Sequence, residues 1–327
     1  MFNSITQKIH SRLGQRGAIF GLAALDLVEK DPKIIFLTAD LADLSGMDRL
    51  RKKYPENFVN VGIAEQNLIG ISAGMASEGF KPVATTYATF ITLRSCEQIR
   101  HYLGYMGLKV VVIGSGAGFI QEFSGNTHYA IEDIAVMRSI PNMVVLSPSD
   151  ASQAILALES ALQIDAPVYI RLTGGLGCPV VHEKEYEFKL GRPITICEGS
   201  DITIFATGLM VHAALKAAEL LAKEKISVGV VDVHTIKPMP DDICSLALVP
   251  SMYVTIEEHN IIGGLGGAIS EKLADAGSAV PLLRLGVKDC FSSVGDYEYL
   301  LSVNRLLPDQ IAQDIKTKFE VISARNY

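Results

Sequence analysis

Short apolar runs rich in β-branched residues alternate along this chain with longer stretches whose apolar residues recur at helical spacing. The runs Lys33–Thr38, Pro82–Thr86, Lys109–Ile113, Met143–Leu146 and Pro167–Leu172 read as buried strands, with helices filling the intervals. Ser4–Glu29 predicts one helix, closed by Asp31-Pro32. Ile63–Glu78 predicts another, ended by Gly79, and Ala151–Gln163 a third, with Ser149-Asp150 at its N-cap. Such alternation is the mark of parallel sheets covered by helices on both faces.

The pattern is interrupted once. Charged residues cluster from His182 to Arg192, just before Pro193, and read as a linker. A second block follows, with strands at Ile202–Ala206, Ser227–Asp232, Met252–Ile256 and Pro281–Leu285. Its helices fall near Met210–Lys223 and Gly264–Ala276, and Asp309–Ser323 reads as a terminal helix. The expected plan is therefore α/β in two domains, residues 1–182 and 194–327 joined by a linker at 183–193, each a mostly parallel sheet flanked by helices. Neither repeats nor low-complexity tracts are visible, and the two blocks are not copies of each other.

Composition narrows the function classes. The chain has 49% hydrophobic residues, enough for each of two domains to bury a core. With 29 Lys+Arg against 36 Asp+Glu and no clustered basic face, it is poorly suited to nucleic acid, where phosphate neutralisation supplies most of the affinity. Cys96, Cys178, Cys197, Cys244 and Cys290 show no metal-ligand spacing and read as reduced thiols of a cytoplasmic protein. No run reaches the ~18 apolar residues of a membrane span, and Met1–Arg16 has no apolar core of an export signal.

The candidate chemistry gathers in the first block. Glu65, in Val59-Asn-Val-Gly-Ile-Ala-Glu-Gln-Asn67, sits where an apolar run turns into a glycine- and alanine-rich helix. Burial among Val61, Ile63 and Leu68 would let this carboxylate share a proton with a heteroaromatic nitrogen, and the alternative is a helix-entry glutamate favoured by the helix dipole. Tyr87 and Phe90, three residues apart after a strand, can share one wall of a cleft for a flat ring or serve as core. Asp40 lies at the carboxyl end of a strand, where open α/β sheets bind ligands, or it caps the next turn. His128 closes the glycine-bearing loop Gly114–Thr127 and can exchange protons near neutral pH or be structural. Gly114, Gly116 and Gly118 lack the context of a dinucleotide fingerprint and read as a flexible substrate loop.

Gly62-Ile-Ala-Glu-Gln-Asn67, Tyr87-Ala-Thr-Phe90, Thr127-His128 and Ile131–Met143 together resemble transketolases and the related deoxyxylulose-phosphate synthases. The match runs nearly end to end but covers only the pyrimidine-binding and carboxy-terminal domains. Nowhere in the chain does a Gly-Asp-Gly precede the downstream Asn that would carry a magnesium diphosphate. The resemblance thus implies one subunit of a split, thiamine diphosphate-dependent transketolase, moving a two-carbon ketol unit from a ketose to an aldose. Its partner would be an N-terminal subunit bearing Gly-Asp-Gly, Mg²⁺ and the diphosphate, in an A2B2 heterotetramer. In the family, a glutamate at the position of Glu65 bonds N1′ of the aminopyrimidine. Phe90 matches the stacking phenylalanine, Tyr87 a second pocket aromatic and Asp40 an aspartate near the cofactor, while His128 matches a histidine that contacts donor and acceptor oxygens.

Departures bear on the substrate. The aligned positions of an acidic pair that reads a sugar hydroxyl are Phe123 and Ser124 here, so Ser124 takes the place of the aspartate. A phosphate-binding histidine aligns near Gly116. Arg171 matches a phosphate-binding arginine, and Arg94 is expected to add charge near the same mouth or to be a solvated helix residue. A modified sugar, deoxy or nucleotide-linked, is the resulting expectation beside ordinary sugar phosphates. In the second block, Thr255-Ile-Glu-Glu-His-Asn260 resembles an anion or metal site but reads as structural, because His259 lacks a second His or Cys at ligand spacing. The alternatives are a 2-oxoacid dehydrogenase β-like or deoxyxylulose-phosphate synthase-like subunit, and a binding or regulatory protein that keeps the fold without the chemistry.

Overall fold

The computed structural model describes residues 2–245 and 250–324. Six strands of the first block are β1 (Ile34–Thr38), β2 (Phe58–Asn60), β3 (Lys81–Tyr87), β4 (Val111–Ser115), β5 (Val144–Leu146) and β6 (Val168–Leu172). The second contributes β7 (Ile194–Cys197), β8 (Ile202–Ala206), β9 (Val228–Asp232), β10 (Thr235–Lys237), β11 (Met252–Asn260) and β12 (Leu282–Val287). A seven-stranded sheet has the order β10-β5-β6-β4-β3-β1-β2 and a five-stranded sheet the order β12-β11-β8-β9-β7. The central strands β1, β4 and β6 are buried throughout, as expected for parallel strands covered on both faces.

The two sheets are not wholly separate in sequence. β10 lies within the stretch assigned to the second domain, yet it pairs antiparallel with β5, Thr235 opposite Leu146, and forms an edge of the first sheet. β2 falls where the apolar run before Glu65 pointed, whereas β7 and β10 were not expected as strands; each of the three has three or four residues and lies at a sheet edge.

The first helix also differs from expectation. Ser4–Ala18 is broken at Gly14, whose φ of 68° and ψ of 174° leave the helical region, and the chain continues through a π-helical turn, Ile19–Ala23, into Ala24–Lys30. A Cβ at Gly14 would stand 2.4 Å from the Gly175 carbonyl oxygen, so close approach of two backbones requires glycine here. Gln15, just past the break, donates to Pro148 O and accepts from Gly174 N, pinning the helix to the end of the first sheet. The other helices keep their expected places, including Glu65–Ser77 and Ala151–Ala161, the latter capped by Asp150 accepting from Gln153 N. No described helix is long and apolar enough to cross a membrane.

Candidate active site

Glu65 opens the helix Glu65–Ser77 just after the turn that follows β2, and it is 6% exposed. Leu68 is fully buried below it, whereas Ile63 is 77% exposed, so Ile63 does not help to desolvate the carboxylate as the sequence suggested. Glu65 Oε1 accepts from Arg94 Nη1 at 3.1 Å. The same guanidinium lies over the Phe90 ring, its Cζ 3.7 Å from the centroid. Arg94 therefore does not stand at an anion-binding mouth with Arg171, as expected. A π-helical turn, Phe90–Arg94, brings it back over Phe90, and Gln66 Nε2 holds its backbone carbonyl at 3.1 Å. Ile63, Ala64, Gln66, Asn67, Glu65 and Arg94 bound an open depression of about 490 Å³.

This arrangement has a chemical reading. A guanidinium is flat and carries N–H donors, and here it stacks on an aromatic face while donating to a buried carboxylate. Among the described residues, Glu65 Oε2 accepts no hydrogen bond. Arg94 thus places a planar, N–H-bearing group between Glu65 and Phe90.

Tyr87, Phe90 and His128 form one aromatic group. Their ring centroids lie 5.8 Å apart for Tyr87–Phe90, 5.6 Å for Tyr87–His128 and 5.0 Å for Phe90–His128, all edge-on. Arg94 links this group to Glu65 by stacking on Phe90 while donating to the carboxylate. His128 is half-buried and its Nδ1 shares a hydrogen bond with Thr127 Oγ1 at 3.0 Å. That bond leaves Nε2 as the nitrogen available to a ligand.

The loop before His128 is held by hydrogen bonds at its base and within it. Paired backbone bonds between Gly118 and Ala130 close its base, and Tyr129, edge-on to Phe119, donates its hydroxyl to Glu122 O. Ser124 is exposed on this loop, in the turn Glu122–Ser124. Asp40 sits exposed just past β1 with φ 61° and accepts from Asn60 Nδ2 at 3.1 Å, while its own N–H donates to Asn60 Oδ1. Asn60, at the end of β2, is a polar neighbour that the sequence reading did not single out.

Arg171 is a clear correction. It is 1% exposed, its Nε donates to Asp133 Oδ2 at 2.8 Å, and its Nη2 donates to Ala130 O and Glu258 O. A guanidinium committed to a buried carboxylate and two carbonyls is not available to a substrate phosphate. Arg16, which the sequence reading passed over, is half-buried, and its guanidinium makes no hydrogen bond or ion pair among the described residues. Burial lowers its guanidinium pKa, and the nearby Tyr87 phenol opposes that shift.

In the second domain Glu257, Glu258 and His259 are buried on β11. Glu257 accepts from the N–H groups of Leu265 and Gly266 at a helix start, and His259 Nε2 faces Ala135 N at 3.3 Å. Burial pushes both glutamates up to about 7 and His259 down to about 4. Among the described residues, no cluster of three or more His, Cys, Asp or Glu could hold a metal ion.

Comparison with known proteins now decides the family. Residues 16–178 match the transketolase pyrimidine-binding domain, and residues 191–311 match the transketolase C-terminal domain. The chain belongs to the transketolase family. It is 38% identical over 304 residues to a Clostridium sp. (strain MSTE9) protein named 6-deoxy-6-sulfo-D-fructose transketolase subunit SqwH, covering 93% of each chain. It is 36% identical to the putative transketolase C-terminal section of Methanocaldococcus jannaschii, covering 90% of this chain and 93% of the relative. A 1-deoxy-D-xylulose-5-phosphate synthase from Synechococcus sp. (strain JA-2-3B'a(2-13)) is 38% identical, but this transketolase-family chain spans only 47% of its length. Among solved structures, a split gene transketolase described as an inactive beta4 tetramer superposes with a TM-score of 0.86 at 37% identity, covering 94% of this chain and 98% of that one. The chain is thus built on the plan of the transketolase subunits that carry these two domains, within a transferase family whose members use thiamine diphosphate.

Proposed function

We propose that this chain holds the aminopyrimidine end of thiamine diphosphate between Glu65 and Phe90 in a split transketolase, and that it transfers ketol units only with a second subunit. The observation that carries this reading is the Arg94 guanidinium, a flat N–H donor already seated on the Phe90 face and bonded to Glu65. When bound, the cofactor supplies a thiazolium carbon able to act as nucleophile and electron sink for carbon–carbon cleavage. Glu65 would accept a hydrogen bond from a ring nitrogen, and its burial keeps water from competing for that bond. Phe90 and Tyr87 provide the apolar wall, and Asp40 lies at a strand carboxyl end on the rim of the same sheet. His128 Nε2 would donate to, or take a proton from, a substrate hydroxyl.

Mg²⁺ and the diphosphate are assigned to the partner, which would carry the Gly-Asp-Gly motif. Exposed Ile63, Leu93 and Leu44 give the chain apolar surface near Glu65 and β1 for that partner to cover, in an A2B2 assembly. Five free cysteines suit a cytoplasmic setting. We place the boundary between the two domains in the linker 183–193, with β10 returning to the first sheet. For the substrate, Ser124 and Phe123 replace an acidic pair, and Arg171 is withdrawn from the site. Arg16 is therefore the cation we assign to an anionic donor end, and a C6-modified ketose is the preferred donor.

The test is co-expression with a diphosphate-binding partner and assay of ketol transfer to an aldose acceptor from fructose 6-phosphate, xylulose 5-phosphate and 6-deoxy-6-sulfofructose. Transfer that requires both subunits and the cofactor, and is lost in E65A, supports the reading. Decarboxylation of pyruvate without ketol transfer would replace it with a synthase-like or dehydrogenase-like role. Tight cofactor binding by the lone chain would contradict the shared site.

A further inference from the structure

The second domain reaches the His128 loop at both ends. At its base, Glu258 of β11 is 1% exposed; its Oε1 accepts from Phe119 N at 2.5 Å and its Oε2 from the Tyr297 hydroxyl at 2.7 Å. The Glu258 carbonyl accepts from Arg171 Nη2 at 2.8 Å, and the same Nη2 donates to Ala130 O at 3.0 Å. One guanidinium thereby joins β11 to the residue two places after His128. At the other end, Asn126 Nδ2 donates to Ser292 O at 2.8 Å, and Asn304 Nδ2 donates to the Ser292 hydroxyl at 2.8 Å.

The fit at the base leaves no slack. Gly118 has φ +68°, and a Cβ there would stand 2.2 Å from Glu258 Oε1. Burying a carboxylate to hold one backbone N–H is costly compared with an apolar contact. What the carboxyl group contributes is direction, because the hydrogen bond to its Oε1 fixes the orientation of the Phe119 amide and the strand end behind it. The loop closes at Gly118–Ala130, so orienting its base also orients His128 against Tyr87 and Phe90.

We propose that Glu258 is a positioning residue for ketol transfer: from the second domain it fixes the loop that presents the His128 imidazole to the substrate. The inference rests on the reading of His128 as the residue that meets substrate, so its test includes an arm that needs no activity. In the assembled two-subunit enzyme, E258A is expected to lower kcat by about 10- to 100-fold, the scale of a misplacement of about 1 Å, with a smaller change in KM. E258Q keeps an acceptor for Phe119 and should recover most of the loss, while N126A, at the exposed end, gives a weaker loss of the same kind. In an H128A background E258A should add little, since the residue acts through His128.

In the chain alone, hydrogen exchange of amides 119–128 should speed up in E258A and N126A, with amides of β8 unchanged. Unchanged loop exchange in both variants, or E258A and H128A effects that simply multiply, overturns the proposal. Should E258A fail to fold, N126A decides, and wild-type exchange and kcat in that variant would also overturn it. If the wild-type complex transfers no ketol unit, the proposed function falls, and the positioning role falls with it even where the exchange arm shows Glu258 restraining the loop.

Discussion

Removing the Arg94 side chain should tighten cofactor binding. In the structure the guanidinium makes one ion pair with Glu65 and one stacking contact with Phe90, the two residues proposed to hold the aminopyrimidine. Cofactor and guanidinium cannot occupy that place together, so every binding event first breaks both contacts. Arg94 is 51% exposed in this pair and Glu65 only 7%, so the ion pair is screened on one side and contributes about 0.5–1 kcal/mol. The cation–π contact at such a half-open site adds about 0.5–1 kcal/mol. Displacement therefore costs about 1–2 kcal/mol, and R94A should lower the cofactor Kd by roughly 5- to 30-fold at 1.4 kcal/mol per factor of ten. Calorimetric titration of the assembled complex measures this directly, without relying on intrinsic fluorescence in a chain that has no tryptophan. R94K, which keeps the charge but loses the flat stacking group, should fall between R94A and wild type. A Kd that is unchanged or weaker in R94A refutes the reasoning, since it would mean that Arg94 leaves the site at no cost or contacts the cofactor itself. A normal Kd with a raised donor KM would return Arg94 to the substrate-binding role expected from the sequence.

Other outcomes follow from the same geometry. E65Q should lower kcat of the complex by about 10²–10⁴-fold, the usual weight of a positioned proton-sharing group, as measured by steady-state ketol transfer. R171A should unfold the chain more readily, by about 3–5 kcal/mol, because it strands Asp133 in the core; denaturant titration reads this, and a purely kinetic defect with a raised KM would contradict it. R16Q should raise the KM for anionic donors more than it lowers kcat, and an equal loss with uncharged donors would remove Arg16 from the anion site. Burial pushes the Glu258 carboxyl up to about 7, so between the ordinary 4.5 and about 7 the folded chain keeps a proton that the unfolded chain has released. Wild type should therefore lose stability relative to E258Q as pH rises through that window, by at most roughly 3 kcal/mol, with a constant gap above it. Thermal midpoints of the two proteins that run parallel from pH 5 to 8 would contradict this.

How much of this was legible in the sequence depended on the range of the interaction concerned. The strands buried on both faces, such as β1, β4 and β6, announced themselves as apolar runs, because each residue in them meets the same environment. β7, with one exposed and three partly buried residues, is never fully buried, and β10 is recognisable only through its partner β5, which lies far away in the chain. Glu65, Phe90, Tyr87 and His128 were singled out because each sits at a strand end or loop mouth, and such positions can be read locally. Arg171 was misplaced for the opposite reason. A cation at a strand end looks available, but Asp133 lies 38 residues earlier in the chain, and only the fold shows that the pair is buried.

Glu258 illustrates the same principle from the other domain. Within Thr255–Asn260 it is one of two adjacent glutamates beside a histidine, and nothing local separates it from Glu257. The fold divides their roles: Glu257 satisfies the N–H groups at the start of the helix Leu265–Asp275, whereas Glu258 reaches across to Phe119, 139 residues away. The first bond stabilises an element of its own domain and would serve in any protein of this architecture. The second spans the domains and ends on the loop of His128, so its strength is coupled to how the imidazole is held. A substitution at Glu257 should accordingly lower stability while leaving the kcat of the folded fraction intact, whereas one at Glu258 should lower both. Calorimetry paired with active-site titration separates the two, and equal kcat losses per folded molecule at both positions would show that the second domain acts on the site only through its overall stability.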